Sequence, residues 1–310
     1  MEQTHTKRYN PKRKKGKKFK RLIQLFLIIF ILVAGYSVYQ FYKGHQLAKD
    51  SELKQEDFVG DKVSTGTVNY LLLGIDTRGE EKSRTDTMML VSWNHDTDKV
   101  KLISFMRDIY AEIPGYSNYK LNTAYYLGGV QLTKDTITGM FGVPIHHYAI
   151  IDFKNFETMI DILAPSGVKI DVEKDMSEKI GVSLKAGEQQ LNGQELLGYA
   201  RFRMDGEGDF GRVRRQQQVI EAVKDSVLSV RNTKNLPKLV GAAQGYVVTD
   251  ISSGEQLKSV LEVATSGVEI EKLTIPQEGT YSDKSYSHAG SVLEIDLEKN
   301  KQALNDFLEK

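Results

Sequence analysis

The stretch Val68-Asn-Tyr-Leu-Leu-Leu-Gly-Ile75 is an apolar run rich in strand-forming residues, and Asp76 follows it at once. Two more apolar runs extend from Thr87 to Trp93 and from Val100 to Met106, with the turn-forming cluster Asn94-His-Asp-Thr-Asp98 between them. Short apolar runs that are bounded by turn residues predict β-strands. The first run therefore predicts the start of a sheet, and the next two predict a hairpin within it.

After this predicted sheet region, segments with helical spacing alternate with short apolar runs. Helices are predicted over Val130–Phe141, Phe153–Leu163, Gly193–Arg201, Gly211–Val230, Leu236–Ala243, Gln256–Thr265 and Leu297–Leu308. Strands are predicted over Tyr148–Ile151, Val168–Val172 and Glu269–Ile275. Strands and helices that alternate along a chain predict an α/β fold, here a central mixed β-sheet flanked by helices.

The N-terminus is strongly basic and leads into an apolar stretch. Residues 1–21 carry ten Lys or Arg against the single Glu2, and residues 22–42 are uncharged. At about 1.5 Å per residue, a helix over residues 22–42 spans about 31 Å, the thickness of a bilayer's hydrocarbon core. Because basic segments stay in the cytoplasm, this predicts a single-pass protein of the cell membrane with a cytoplasmic N-terminus. A cleaved signal peptide is the alternative, although no small-residue cleavage site follows.

The predicted organisation has four parts: a cytoplasmic basic tail (1–21), a transmembrane helix (22–42), an extracytoplasmic stalk (43–66) and an extracytoplasmic catalytic domain (67–310). The chain has no cysteine, which excludes disulfides and cysteine catalysis. Acidic residues outnumber basic ones after residue 21, so nucleic acid is not expected as a partner. Neither a Walker loop nor a G-x-S-x-G nucleophile motif is present.

The stretch from Arg201 to Gln216 holds five of the nine arginines that follow Arg21. The planar guanidinium matches phosphate oxygens two at a time, and the first turn of a helix also favours anions. Arg214 is predicted to face solvent, and an ordinary basic helix start is the alternative for the whole stretch. The candidate phosphate ligands in it are Arg201, Arg203, Arg212, Arg215 and Gln216.

Asp76 and Asp86 flank the connection between the first two predicted strands, so their carboxylates are expected at one edge of the sheet. Two carboxylates suit Mg²⁺, which completes its shell with water and phosphate oxygens. Arg84 is then expected beside the same phosphate. An ordinary charged loop with surface ion pairs is the alternative.

Arg107 and Asp108 directly follow the third predicted strand, where catalytic groups often lie, and a plain salt bridge is the alternative. Lys120 follows a loop with Tyr116 and Tyr119 and is a weaker candidate for contact with a sugar or phosphate. The pair His146-His147 is interpreted as structural, because adjacent residues on a strand point to opposite faces.

Taken together, these segments resemble the LytR-CpsA-Psr family. The match runs in order and spacing from about Val68 to Ser229, and the basic tail with its single anchor also fits. The segments that carry it are Leu71–Arg78, Ser83–Met89, Ser104–Asp108, Lys120–Ala124, Tyr199–Arg203 and Asp209–Gln216.

The resemblance implies an enzyme most like the teichoic acid transferases of Gram-positive bacteria. Such enzymes move a glycopolymer from an undecaprenyl-pyrophosphate carrier to a muramic acid hydroxyl of peptidoglycan. By position, Asp76 and Asp86 are implied as Mg²⁺ ligands, and Asp108 or Asp209 as a group that orients an arginine or receives the acceptor's proton. The implied pyrophosphate ligands are Arg84, Arg107, Arg201, Arg203, Arg212, Arg215 and Gln216, and the implied catalytic residues are Arg84, Arg107, Asp108 and Asp209.

The chain departs from the family pattern in two places. Phe105-Met106 stands where the family usually has Ile-Pro, which restores a backbone amide before Arg107. Leu163-Ala-Pro-Ser-Gly-Val168 replaces the usual Leu-Gly-Gly-Val turn. Two other functions remain open from sequence: hydrolysis of a polyprenyl pyrophosphate, and a non-catalytic regulator that binds a wall polymer.

Overall fold

A computed structural model of the chain describes residues 15–48, 54–64, 66–77, 83–229, 232–266 and 268–309. The basic tail up to residue 14, residues 49–53 of the predicted stalk, and Arg78 lie outside the described residues. The helices are α1 (Lys15–Leu47), α2 (Thr123–Phe141), α3 (Phe153–Leu163), α4 (Gly193–Arg201), α5 (Gly208–Leu228), α6 (Leu236–Tyr246), α7 (Ser253–Ser266) and α8 (Leu297–Glu309). The strands are β1 (Thr67–Ile75), β2 (Thr85–Asn94), β3 (Lys99–Phe105), β4 (Tyr110–Ala111), β5 (Tyr119–Lys120), β6 (His147–Asp152), β7 (Val168–Val172), β8 (Gly187–Leu191), β9 (Val247–Thr249), β10 (Ile270–Ile275), β11 (Tyr281–Tyr286) and β12 (Gly290–Ile295).

The central sheet has the strand order β10-β3-β2-β1-β6-β9. β1 pairs with β2 and β2 with β3 in antiparallel fashion, whereas β1–β6 and β3–β10 are parallel. The sheet is therefore mixed and flanked by helices, which confirms the predicted fold class. The predicted hairpin of the second and third runs is the β2–β3 pair, and the Asn94 side chain caps its turn through the amides of Asp96 and Thr97.

The alternation of β1 sets the main core. Leu71, Leu73 and Ile75 are buried and belong to one hydrophobic cluster with Ile137 and Phe141 of α2. A second cluster lies among α3, α4, α5, β7 and β8, with α4 contributing the fully buried Tyr199. These two clusters fix the ends of β1 and β3 relative to α5, which is where the candidate site lies.

The segment predicted as a stalk differs from a free spacer in its described part. α1 continues to Leu47, and residues 54–64 lie against the domain. The Glu56 carboxylate accepts hydrogen bonds from Val130 N at 2.7 Å and from the Tyr125 hydroxyl at 2.5 Å. Asp61 accepts from Ile145 N at 2.7 Å. These contacts could not be predicted from a polar segment without periodicity, because each one joins residues far apart in the chain.

α1 carries the predicted membrane segment. In the described residues, Phe26–Leu47 is the helix long and apolar enough to cross a membrane, and the side chains from Phe26 to Val33 are all exposed. This helix is compatible with a single-pass anchor. Its last turns pack closely on α6: the Tyr246 hydroxyl donates to Leu47 O at 2.6 Å, and a Cβ at Gly241 would lie 2.1 Å from Phe41 O.

Several elements differ from the sequence predictions in extent. α5 begins at Gly208 rather than Gly211, because the Asp205 carboxylate accepts from the amides of Glu207 and Gly208. α2 starts seven residues before the predicted Val130 and kinks at Gly128 and Gly129. The β11–β12 hairpin and strands β4, β5, β8 and β9 were not predicted, since their sequences are short or polar.

Candidate functional site

Arg107, the second residue after β3, lies at the centre of a charged cluster at the edge of the sheet. Its Nη1 contacts the Asp86 carboxylate, and its Nε lies 3.3 Å from Asp209 Oδ2 and 3.5 Å from Asp108 Oδ2. The backbone before it is held by Met106 N, which donates to Ile275 O at 2.9 Å. The amide that replaces the usual proline is thus used to extend the pairing of β3 with β10.

Asp209 brings further arginines to the same place. It lies in the first turn of α5, and its carboxylate is 3.2 Å from Arg212 Nη2 and 3.7 Å from Arg203 Nη1. With Arg107, three guanidinium groups therefore surround one carboxylate. The arrangement holds several positive charges close together around Asp209.

A second ion pair extends this cluster along the sheet edge. Asp76 directly follows β1, and its Oδ2 lies 3.4 Å from Arg201 Nη2. The Arg201 guanidinium also lies over the Phe153 ring at 5.0 Å. Arg201 and Arg203 flank the buried Phe202. One short segment therefore supplies the arginine that pairs with Asp76 and the arginine that pairs with Asp209.

Asp76 and Asp86, the predicted Mg²⁺ ligands, come from neighbouring strands. Gly74 pairs with Thr87 and Ile75 with Thr85, so Asp86 is the extra residue of a β-bulge beside the end of β1. Among the described residues, no group of three or more His, Cys, Asp or Glu could hold a metal ion. Two carboxylates nevertheless fit Mg²⁺ when phosphate oxygens and water complete its shell. Magnesium here stays a prediction.

The electrostatics of the cluster follow from burial and crowding. Burial lowers the pKa of Arg107, but the three carboxylates around it outweigh burial and the net pKa is raised. Burial raises the pKa of Asp108, but the hydrogen bond from Lys120 and the charge of Arg107 outweigh it, so the pKa is lowered. Burial and then repulsion by Arg107 lower the pKa of Arg212. An anion between these arginines would relieve that repulsion.

Two buried donors in the cluster make no well-aligned hydrogen bond. Within the part of the chain that the structure describes, Nε of Arg107 and Nε of Arg212 are buried and have no aligned hydrogen-bond partner. A buried donor without an acceptor is costly, about 1–3 kcal/mol. Phosphate oxygens are suitable acceptors for guanidinium donors.

Arg215 is not part of this cluster. Its side chain is fully buried, contacts the Asp205 carboxylate, lies 3.3 Å from Glu173 Oε2 and donates to Phe202 O at 2.9 Å. Arg214, predicted to face solvent, is half-exposed and pairs with Glu173. Although they are three residues apart on α5, Arg212 and Arg215 pair with different carboxylates, because α5 packs on the segment before it.

The remaining predicted residues are more scattered. Arg84 is exposed, with its guanidinium over the Tyr126 ring at 5.4 Å, and Gln216 is buried on α5. His146 accepts from Asn69 N through Nδ1 at 2.8 Å, which supports the structural interpretation of that histidine. Lys120, a weaker sequence candidate, pairs with Asp108 at 2.6 Å and joins the cluster. The sequence signal for Lys120 was its position after the loop that contains Tyr116 and Tyr119.

Fold and cluster together define an α/β protein with an arginine-rich charged cluster at the edge of its sheet. The chain belongs to the LytR_cpsA_psr family, whose model matches residues 33–305.

Named relatives come from two groups. The chain is 45% identical over 285 residues to Regulatory protein MsrR of Staphylococcus aureus (strain COL), covering 92% of this chain and 86% of MsrR. It is 30% identical over 315 residues to the polyisoprenyl-teichoic acid–peptidoglycan teichoic acid transferase TagV of Bacillus subtilis (strain 168), covering 94% and 79%. The crystal structure of B. subtilis TagV matches with a TM-score of 0.67 at 29% identity, covering 80% of this chain and 99% of that one. TagT bound to LIIa-WTA matches with a TM-score of 0.64 at 25% identity, covering 83% and 97%.

Proposed function

We propose that this protein transfers an anionic wall glycopolymer of the teichoic acid type from an undecaprenyl-pyrophosphate carrier to a muramic acid hydroxyl of peptidoglycan. The observation that carries the proposal is the gathering of Arg107, Arg203 and Arg212 around Asp209. The names of TagV and of TagT bound to LIIa-WTA support the substrate class. An N-terminal helix compatible with a membrane anchor suits a donor that is held in the bilayer.

In this proposal the guanidinium groups bind the pyrophosphate oxygens. Arg203 is 48% exposed and Arg201 33% exposed, so both can meet a ligand from solvent, with Arg107 and Arg212 beneath them. Arg84 is a further exposed candidate ligand by resemblance. Arg215, the sequence candidate that is 0% exposed, is proposed instead to position the segment of Arg201 and Arg203 through Phe202 O. Gln216 remains a candidate ligand by resemblance.

The proposed transfer is a single phosphoryl displacement. The acceptor hydroxyl oxygen bonds to the phosphorus that carries the glycan, and the bond from that phosphorus to the bridging oxygen breaks. Undecaprenyl phosphate leaves with the bond's electron pair, and the hydroxyl proton passes to a carboxylate, Asp108 or Asp209. Positioning and charge neutralisation supply most of the catalysis of such transfers. Mg²⁺ on Asp76 and Asp86 would add positive charge beside the pyrophosphate.

The test uses the full chain in lipid nanodiscs with a lipid-linked teichoic acid precursor and purified peptidoglycan. We expect Arg203→Ala and Arg107→Ala to lower the rate of polymer attachment about 10²-fold or more, as loss of a charge-stabilising donor does in other enzymes. Arg214→Ala on α5 is the control, because Arg214 pairs with Glu173 and Glu207 outside the cluster, and its rate should stay near wild type. Free glycan phosphate without attached polymer would identify a hydrolase and refute the transferase.

A regulatory role is the second candidate, because the relative that is 45% identical is named Regulatory protein MsrR. A regulator that only binds a wall polymer needs no reacting phosphate. Under that function, Asp76→Ala and Asp86→Ala should leave attachment of polymer to the wall unchanged in cells that lack the native protein. Under the transferase, both substitutions should abolish the attachment that depends on this protein.

A further inference from the structure

Three tyrosines and a histidine form an aromatic surface that the proposed transfer chemistry does not use. Tyr110 and Tyr286 stack with ring centroids 4.6 Å apart, and the rings of Tyr119 and His288 meet edge to face at 5.4 Å. Tyr286 and His288 are 5.9 Å apart. The tyrosines are half-buried and His288 is exposed. These four residues are called the aromatic platform below.

Hydrogen bonds within the protein hold the platform in place. His288 Nε2 lies 3.0 Å from Asn118 O, so this nitrogen carries the proton and donates, and it is also 3.3 Å from the Tyr110 hydroxyl. The Tyr286 hydroxyl donates to Glu294 at 2.9 Å. Rings that are fixed before binding lose little conformational entropy when a ligand stacks on them.

The platform is continuous with the charged cluster. Tyr110 lies two residues after Asp108, and Leu293 N of the β11–β12 hairpin donates to Asp108 O at 2.8 Å. Lys120, which follows Tyr119, pairs with the Asp108 carboxylate at 2.6 Å. The segment that presents Asp108 to the cluster therefore also contributes Tyr110 to the platform.

The chemistry of this surface suits a sugar ring. One face of a pyranose exposes polarised C–H groups, which meet the negative face of an aromatic ring, while its edge carries groups that hydrogen-bond. Aromatic faces with a few placed polar groups are typical of small-ligand sites, and Glu294 and Lys120 supply those groups here. We propose that the platform binds a sugar of the acceptor glycan strand of peptidoglycan; this rests on the proposed transferase function.

The topology favours the acceptor over the donor. β4 follows β3, and the β11–β12 hairpin follows β10, so the platform follows the carboxyl ends of the two strands on the β10 side of the sheet. The anchor helix α1 packs on α6, which leads into β9 at the opposite edge. Five strand spacings of about 4.8 Å separate these edges by about 24 Å. A lipid-linked donor enters from the side of α1, which leaves the platform to the acceptor.

The test measures binding of soluble, uncrosslinked peptidoglycan glycan strands to the full chain in nanodiscs, with no donor present. Tyr286→Ala should weaken binding about tenfold, which corresponds to about 1.4 kcal/mol. Tyr286→Phe keeps the ring and should bind nearly as wild type. Ser285→Ala, on the same strand and the opposite face, is the matched control. Should Tyr286→Ala lower the melting temperature, exposed His288→Ala replaces it and should also weaken binding.

The outcomes separate this proposal from the transferase function. Wild-type affinity for glycan strands in a folded platform variant overturns the platform. So does a variant that loses affinity for the lipid-linked donor alone, because the surface would then hold the donor's glycan. If the protein binds strands through the platform but transfers no polymer, the transferase function is refuted and the platform is supported. If Tyr286→Ala transfers polymer with an unchanged KM for the acceptor, only the platform proposal is refuted.

Discussion

Asp108 and Asp209 share contact with Arg107, but their other partners differ. Asp209 is surrounded by three guanidinium groups, whereas Asp108 pairs with Lys120 and lies beside the backbone of β12. We therefore infer that Asp209 orients the arginines, and that Asp108 is the carboxylate on the acceptor side of the proposed reaction.

Asp108 also predicts a pH dependence of stability. Its pKa is lowered from 3.8 in the folded protein, so its ionised form stabilises the fold above that value. This contribution is lost as the pH falls through the lowered folded pKa. We expect Asp108→Asn to unfold at lower urea than wild type at pH 7, with a smaller difference at pH 3. Asp225→Asn, an exposed aspartate on α5, is the control; an equal difference at both pH values would contradict the prediction.

Met106 shows how a departure from the family pattern is used. Its amide donates to Ile275 O at 2.9 Å, which a proline could not do. We expect Met106→Pro to lower the free energy of unfolding by about 1–3 kcal/mol, since a buried carbonyl loses its donor. Met106→Leu keeps the amide and a similar volume and should cost less than about 1.5 kcal/mol. Chemical denaturation measures both, and equal losses would show that the amide does not matter.

At the scale of elements, apolar alternation made most of the sheet predictable. Acidic or turn residues mark the ends of β1, β2 and β3 in the sequence. Because these strand ends could be located, Asp76, Asp86 and Arg107 could be predicted at one edge of the sheet. The strand Tyr281–Tyr286 was missed because its sequence YSDKSY carries no apolar alternation. Such a strand is defined by its pairing with β12 and by the contact of that hairpin with Asp108, and the second of these joins residues far apart in the chain.

The arginines of α5 show the same limit at the site. The contact of Arg212 with Asp209 joins residues i and i+3 and is readable from sequence. Arg215 instead turns to Glu173, which follows β7 forty-two positions earlier in the chain. Helical spacing gives directions around an axis, but the neighbour that fills each direction depends on packing between elements.

The kink in α2 gives a prediction at this scale. Gly129 has φ 64° and ψ −156°, a conformation open essentially to glycine, and a Cβ there would lie 2.4 Å from Glu56 Oε2. We expect Gly129→Ala to destabilise the fold by about 1–3 kcal/mol. Gly139→Ala on the same helix meets nothing within 4 Å and should be neutral or stabilising by up to about 1 kcal/mol. Thermal unfolding compares them, and equal melting temperatures would refute the strain.

At the scale of the molecule, the chain ties its N-terminal helix to the domain twice. Residues 54–64 lie along α2 and β6, with Glu56 capping the second half of α2. Earlier, α1 crosses α6 so closely that Gly44 and Gly241 each leave no room for a Cβ: one there would lie 2.0 Å from Lys238 O and 2.1 Å from Phe41 O, respectively. A helix compatible with a membrane anchor thus packs directly on the domain.

Gly241→Leu tests that rigid connection. The larger side chain cannot fit against Phe41 O, so we expect α1 to detach from α6 while the domain stays folded. Since the chain has no cysteine, spin labels at Lys43→Cys and Lys258→Cys report this distance without a background. The distance distribution should be narrow in wild type and broad in Gly241→Leu. Gly35→Leu adds the same side chain to α1 where nothing lies within 4 Å, and its distance distribution should stay narrow.

An unchanged distribution in Gly241→Leu would mean that this crossing does not fix the domain. A broadened one with slower polymer attachment in nanodiscs would link the crossing to the supply of the lipid-bound donor.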